Sequence, residues 1–187
     1  MKNKICFAVL LFLSSYVNAS DDMLLINDSK QAIKGFALQL KSQLQKGMKA
    51  GGPVNAIQVC KNTAEDVAKQ ASEKVGWKIA RTSLRFRNSN NAPDGWEKKV
   101  LTDFELRHKN GVPIEKLDFS ETIETGNGSV FRYMKAIPTK GICLSCHGEN
   151  LSAEIKEILA KKYPQDLATG FKLGDIRGAF SITRKLN

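Results

Sequence analysis

The segment Cys143-Leu144-Ser145-Cys146-His147 constrains this chain more than any other part of its sequence. In a Cys-x-x-Cys-His segment the two thiols can add across the vinyl groups of one haem, and the histidine becomes an axial ligand of the iron. The segment therefore predicts one covalently bound haem c, attached through Cys143 and Cys146, with His147 as an iron ligand. The fold therefore has to place this segment beside a space large enough for a flat haem.

The first nineteen residues have the pattern of a cleavable signal peptide. Lys2 and Lys4 give a positive start, residues 5–16 are almost wholly apolar, and Val17-Asn18-Ala19 supplies small residues for a peptidase. The apolar run is shorter than the roughly 20 residues that span a bilayer, which argues against an uncleaved membrane anchor. We expect residues 20–187 to form a single haem-binding domain that is secreted to the periplasm.

The secreted chain is predicted to be basic. Loss of Lys2 and Lys4 would lower the formal net charge from +10 to +8. Export argues against nucleic acid as a partner. The positive charge suits an anionic redox partner protein or a membrane surface, although a solvated lysine-rich surface without a specific partner is the simpler interpretation.

The cysteine count separates haem from other sites that contain a Cys-x-x-Cys pair. Cys6 would leave with the signal peptide, so three thiols remain, an odd number for a secreted protein. A redox-active pair is expected in a thioredoxin-like βαβ unit, which is not predicted here. A zinc ion would need two further ligands, for which only Cys60 and His108 remain. Export, the adjacent histidine and the odd thiol favour haem.

The second axial ligand has several candidates besides an open site or a lysine. They are Cys60, His108, Met23, Met48 and Met134. Cys60 lies on the apolar stripe of a predicted helix among small alanines, which would let a macrocycle approach, although a free cysteine often packs as a small hydrophobe. His108 lies in the last turn of another predicted helix, where the helix dipole favours a cation. The residues alone favour Cys60 slightly over His108.

Hydrophobic periodicity predicts an α+β fold with an antiparallel sheet. Spacings of three and four predict helices over 22–50, 53–74, 94–110 and 152–162. Period-two alternation predicts strands over 77–87, 119–125, 129–137 and 175–184, and Gly126-Asn127-Gly128 predicts a hairpin turn. Gly51-Gly52 separates the two long N-terminal helices, and the Cys-x-x-Cys-His segment is expected in a loop.

Two further sets of haem contacts are candidates. Arg81, Arg85 and Arg87 fall on one face of the predicted strand over 77–87 and could pair with the haem propionates, or the face could be solvated. The second set could wall the haem pocket or serve as ordinary core. It consists of Ile57, Ala64, Tyr133, Met134 and Ile137.

Several blocks of the chain resemble one bacterial family. They are residues 55–61, 81–88, 91–97, 143–148, 163–164, 168–170 and 174–179. In this order they are similar to the PAS-like c-type haem domains, formerly catalogued as a domain of unknown function. Ser89 departs from the family pattern, in which a proline stands at that position. The resemblance implies a PAS-like sheet, one covalent haem, and Cys60 and His147 as the axial ligands.

A thiolate and an imidazole as axial ligands would favour ferric iron and a low reduction potential. A filled iron site favours a redox carrier over an enzyme, and no acid or base residue beside the site is identified. We therefore expect electron transfer in the periplasm. The alternative is a haem-based redox or small-gas sensor that works with a separate output partner, since a thiolate ligand can leave when the iron is reduced.

Overall fold

The computed structural model of the protein describes residues 19–186. The predicted signal peptide, apart from Ala19, lies outside this range. Among the described residues, no helix has an apolar stretch long enough to cross a membrane.

The first helical element, α1 (Ala19–Val75), is broken at the two glycines predicted to separate two helices. Gly52 has a φ of 66°, which is outside the helical range. A Cβ atom placed on Gly47 would lie 2.8 Å from the Cα of Ala56, whereas nine residues of a continuous helix would separate these positions by about 13.5 Å. The two arms of α1, residues 19–50 and 53–75, therefore fold back against each other, and the predicted break is confirmed.

The remaining helices are α2 (Gly95–Lys109), α3 (Gly141–His147) and α4 (Ala153–Lys162). Asp94 caps α2: its carboxylate accepts a hydrogen bond from the Glu97 backbone, and the Glu97 carboxylate accepts one from the Asp94 backbone. Ser152 caps α4 in a similar way, through the backbone N–H of Ile155. The helices predicted over 94–110 and 152–162 are confirmed.

The sheet has four antiparallel strands, β1 (Lys78–Thr82), β2 (Asp118–Thr125), β3 (Gly128–Pro138) and β4 (Ile176–Lys185), in the order β1-β4-β3-β2. Thr125 is opposite Gly128, so Gly126 and Asn127 form the predicted two-residue hairpin turn. The first and last strands lie side by side. The α+β class and the antiparallel sheet are therefore confirmed.

The sheet is the middle of three layers, with α1 on one face and α2 on the other. The α1 side buries Leu25, Ile33, Phe36, Val67, Ala71, Ile79, Phe131, Tyr133 and Ile182. The α2 side buries Val100, Leu101, Phe104, Ile114, Leu117, Met134, Ala136, Ile176 and Ala179. A third, smaller cluster joins the second arm of α1 to α4 through Ile57, Ile155, Leu159 and Tyr163, and Cys146 packs against it. This third cluster brings α3 next to α1.

The strand predicted over 77–87 is too long. β1 ends at Thr82, and the side chain of Ser83 donates a hydrogen bond to the Arg177 carbonyl, while Arg177 donates back to the Ser83 hydroxyl. These contacts direct the chain away from the edge of the sheet. Residues 83–87 therefore do not form a strand, although their apolar and polar residues alternate. The segment expected as a haem loop also differs, since residues 141–147 form the short helix α3.

Gly178 in β4 lies against Thr82 and Ser83, where β1 ends. Its φ is 149°, and a Cβ atom there would collide with the Thr82 carbonyl oxygen and lie 3.0 Å from Cβ of Ser83. We expect Gly178→Ala to lower the free energy of unfolding by about 3 kcal/mol, measured by urea denaturation. The control is Gly35→Ala in α1, where a Cβ meets no atom within 4 Å and where we expect a gain of up to about 1 kcal/mol. Equal effects of the two substitutions would contradict the packing described here.

Candidate haem-binding site

The helix α3 carries the Cys-x-x-Cys-His residues, and its last carbonyl groups are held by distant donors. Arg87 donates to the Cys146 carbonyl at 2.6 Å, and the backbone N–H of Phe171 donates to the His147 carbonyl at 2.9 Å. The last carbonyls of a helix have no partner within it, so such donors stabilise its end. They also fix the direction in which the His147 side chain leaves the helix.

His147 has the protonation state of a metal ligand. Burial and the charges of Arg177 and Arg87 lower the pKa of His147 to about 2, so the ring is neutral at pH 7. Nδ1 lies 2.7 Å from the carbonyl oxygen of Ala168. Because a carbonyl oxygen can only accept, Nδ1 carries the proton and Nε2 keeps a free lone pair. An imidazole held by a hydrogen bond from its other nitrogen is the usual form of a metal-bound histidine.

A buried ion pair positions the Ala168 carbonyl. Nε of Arg87 lies 3.0 Å from Asp166, and both side chains are about nine-tenths buried. The second oxygen of Asp166 accepts a hydrogen bond from the Ala168 N–H at 2.8 Å, and Arg87 also donates to the Ala168 carbonyl at 3.1 Å. Arg87 and Asp166 therefore fix the group that orients His147.

Three arginines bring an excess of positive charge into the same region. Burial and the charges of Arg87 and Arg81 lower the pKa of Arg177 to about 9, and burial also lowers the pKa of Arg81. Within residues 19–186, Asp166 is the carboxylate that forms an ion pair with this group, and it does so with Arg87. Arg81 and Arg177 thus leave buried guanidinium charge without an ion-pair partner, which an anionic group such as a carboxylate would neutralise.

Cys60 lies on the second arm of α1 and faces the same arginines. Burial raises the pKa of the Cys60 thiol, and the charges of Arg81 and Arg87 act against this. Both arginines also act on the pKa of His147. Burial raises the pKa of Cys146, and the charge of Arg87 acts against this. Ile57, about one turn before Cys60, lies in the cluster against which Cys146 packs. Cys60 and His147 therefore share one arginine-lined region.

The three described cysteines are free and half-buried, so none is in a disulfide. Among residues 19–186, no three histidine, cysteine or acidic side chains converge as a metal site would require. His108 lies in the last turn of α2 with its Nδ1 3.2 Å from the Val112 carbonyl, and it borders a shallow depression with Arg85 and Phe171. Met134 lies in the core on the α2 side, Met48 is half-buried, and Met23 is exposed.

The structure corrects the predicted arginine face. Because β1 ends at Thr82, Arg81, Arg85 and Arg87 do not share a strand face. Arg85 stacks on the Phe171 ring at 4.0 Å, and Arg177 lies over the same ring at 5.1 Å. Arg87 is largely occupied by Asp166 and two carbonyl groups. Of the predicted three, Arg81 is the one left with an unpaired buried charge.

The predicted pocket wall is divided among different parts of the molecule. Ile57 packs in the cluster with Cys146, and Ala64, one turn after Cys60, is half-buried. Tyr133 and Met134 instead lie in the two main cores on opposite faces of the sheet, because adjacent strand residues point to opposite sides. They cannot both face one pocket, and neither packs in the cluster around Cys146. Ile137 is half-buried opposite Gly178.

Sequence reasoning assigned no role to several residues that the structure brings into the site. They are Tyr163, Asp166, Ala168, Phe171 and Arg177. Tyr163, Ala168 and Arg177 fall within the blocks that resemble the family, so the resemblance could have pointed to them. Asp166 and Phe171 lie in an irregular segment, residues 163–175, that has no periodic pattern.

Comparisons with known proteins agree with this architecture. A solved structure described as the cyanobacterial heme-protein Tll0287 is 24% identical to this chain, with a TM-score of 0.65, covering 91% of this chain and 98% of that one. The likeness shows a shared fold. A search of curated proteins finds no significant match.

The family model described as Tll0287-like matches residues 9–184, which is nearly the whole chain. The protein belongs to the Tll0287-like family.

Proposed function

We propose that this protein is an exported, single-haem c-type cytochrome-like protein that transfers electrons in the periplasm. Haem c would be attached to Cys143 and Cys146, with His147 and Cys60 as axial ligands, after cleavage of a signal peptide over residues 1–19. The observation that carries the proposal is the convergence of a neutral His147 and the Cys60 thiol on buried guanidinium charge. The heme-protein that shares the fold supports it.

The residues of the site fit a haem on three counts. His147 offers a lone pair at Nε2, because the Ala168 carbonyl holds the proton at Nδ1. Arg81 and Arg177 supply the positive charge that two propionates require. Burial raises the pKa of the Cys60 thiol and the charges of Arg81 and Arg87 act against this, so binding of the metal would displace the thiol proton. When bound, haem supplies one-electron chemistry at its iron.

Electron transfer follows from what the two ligands do. Cys60 comes from α1 and His147 from the end of α3, which is held by hydrogen bonds from Arg87 and Phe171, so two separate helices would hold the haem. A filled coordination shell excludes substrates and favours simple electron exchange. The net positive charge of the chain suits an anionic redox partner protein.

A sensory role is the second candidate, and the position of Cys60 favours it. Cys60 lies on α1, which covers one whole face of an antiparallel sheet that we propose to be PAS-like. If Cys60 no longer held the haem, the second arm of α1 would lose one contact with the site while its packing through Ile57, Val67 and Ala71 stayed in place. A separate output partner could respond to the loss of that contact.

Substitution of Cys60 tests the ligand assignment. We expect ferric wild-type protein to show a low-spin thiolate signature in absorption and electron paramagnetic resonance, and Cys60→Ala to lose it. The reduction potential should rise by on the order of 100 mV, because an anionic donor is removed. His108→Ala is the matched control and should leave both readouts unchanged. An unchanged spectrum in Cys60→Ala together with an altered one in His108→Ala would show that the assignment is wrong.

Substitution of Arg177 tests the propionate assignment. Arg177→Gln removes a buried positive charge that favours the reduced site, and a partly screened charge of this kind is worth on the order of 1 kcal/mol. We expect the midpoint potential to fall by on the order of 40 mV. Arg184→Gln, on the same strand but paired with Asp28 and stacked on Trp77, is the control and should shift the potential little. Equal shifts would place the propionates elsewhere.

Carbon monoxide distinguishes the two candidate functions. An electron carrier should keep both axial ligands when reduced, so added CO should leave its absorption spectrum unchanged over minutes. Rapid formation of a stable CO adduct with loss of the sulfur ligand would favour the sensor. Cys60→Ala serves as the positive control, since its open position should bind CO at once.

A further inference from the structure

The first arm of α1 is unusually rich in lysine. Between Asp28 and Glu65 the chain has lysines at 30, 34, 41, 46, 49 and 61 and no acidic residue. Five of these six lysines lie in the first arm. A surface helix of mixed charge would carry carboxylates four residues from some of its lysines. Residues 29–50 therefore carry five lysines and no acid, while Asp21, Asp22 and Asp28 lower the formal charge of the whole arm to +2.

Helical geometry places most of these lysines on one side. At 3.6 residues per turn, Lys34 and Lys41 point away from the buried side that carries Ile33 and Phe36. The outward face is exposed throughout. Its charged and large apolar residues are Met23, Leu24, Lys30, Lys34, Leu38, Lys41 and Lys49, and the exposed polar residues Asn27, Gln31 and Gln45 lie among them. We call this set the lysine face.

The charges of the lysine face are largely unneutralised. Among the described residues, Lys34, Lys41 and Lys49 form no ion pair, and Lys30 alone pairs with a carboxylate, Asp118 at 3.2 Å. Asp28, the nearest acid on the arm, is occupied by Arg184 on β4. The face therefore presents positive potential to whatever approaches it.

Apolar side chains lie on the same face. Met23, Leu24 and Leu38 are 60%, 61% and 58% exposed, respectively. Leu38 lies between Lys34 and Lys41, whereas Met23 and Leu24 lie about two turns before Lys30. The face therefore offers apolar area as well as positive charge. From Met23 to Lys49 the face is about 39 Å long at 1.5 Å per residue.

We propose that the lysine face binds a flat, anionic phospholipid surface. A bilayer is extended enough to contact the whole length of the face, and its mobile headgroups suit the compact charges of lysine. Protein interfaces, by contrast, are enriched in arginine and depleted in lysine, and the face has no arginine. Cys60 lies on the other arm of α1, so the proposal does not rest on the proposed haem ligation.

The test is binding of the haem-loaded protein over residues 20–187 to vesicles of about one-third phosphatidylglycerol in phosphatidylcholine, measured by sedimentation at low salt. We expect the triple variant Lys34→Gln, Lys41→Gln, Lys49→Gln to lose about a hundredfold in affinity, given the usual contribution of each lysine near such a surface. Salt at about 1 M should abolish binding of the wild type, because the Debye length falls to about 3 Å.

Two matched controls separate the face from net charge and general hydrophobicity. Lys98→Gln, Lys99→Gln, Lys156→Gln removes the same charge at exposed sites that form no ion pair within the described chain, and it should bind within about threefold of the wild type. Leu38→Gln should weaken binding about fivefold. Leu106→Gln, at a leucine equally exposed on α2, should leave it unchanged.

Three results would overturn the proposal. An equal loss of vesicle affinity in the lysine-face triple variant and the control triple variant would show that net charge alone attracts the protein. Equal binding to vesicles of pure phosphatidylcholine would show that anionic headgroups are not recognised. Failure of the wild type to bind anionic vesicles, with selective loss of polyglutamate binding in the face triple, would assign the face to an acidic protein.

Discussion

The guanidinium of Arg87 joins three segments that are far apart in the sequence. It pairs with Asp166 and donates to the carbonyls of Cys146 and Ala168. Without it, α3 would lose a donor at its C-terminal end, and the segment that orients His147 would lose its anchor. Removing one partner of a buried ion pair costs about 3–5 kcal/mol. The geometry of the candidate site therefore depends on this single side chain.

The candidate site has an excess of positive charge. Within residues 19–186, Arg87 has a carboxylate partner, whereas Arg81 and Arg177 have none, and the neutral His147 and the half-buried thiol of Cys60 do not balance their charges. Buried charge of this kind is costly unless an anion neutralises it. A haem with two propionates and a thiolate ligand would supply the missing negative charge, so binding and folding are coupled in the proposed holo-protein. The lysine face of α1 is a separate feature that uses exposed charge in place of buried charge.

Local patterns made much of the fold predictable, because apolar spacings, glycine breaks and turns act over a few residues. Gly51-Gly52 marked the break in α1, and apolar spacings of three and four marked α2. The end of β1 was not predictable, because the departure at Ser83 depends on its exchange of hydrogen bonds with Arg177, 94 residues away. The same holds for the site. Its attachment residues lie in one short motif, but the acceptor of His147 lies 21 residues away and the partner of Arg87 lies 79 residues away.

The central claim is that Cys60 and His147 bind opposite sides of one haem iron. X-ray absorption at the iron edge of the ferric protein tests it most directly, since the method distinguishes sulfur from nitrogen in the first coordination shell. The account predicts a single sulfur ligand at about 2.3 Å, the length of a metal–thiolate bond, beside the nitrogens of the porphyrin and His147. A shell of nitrogens without sulfur would contradict it.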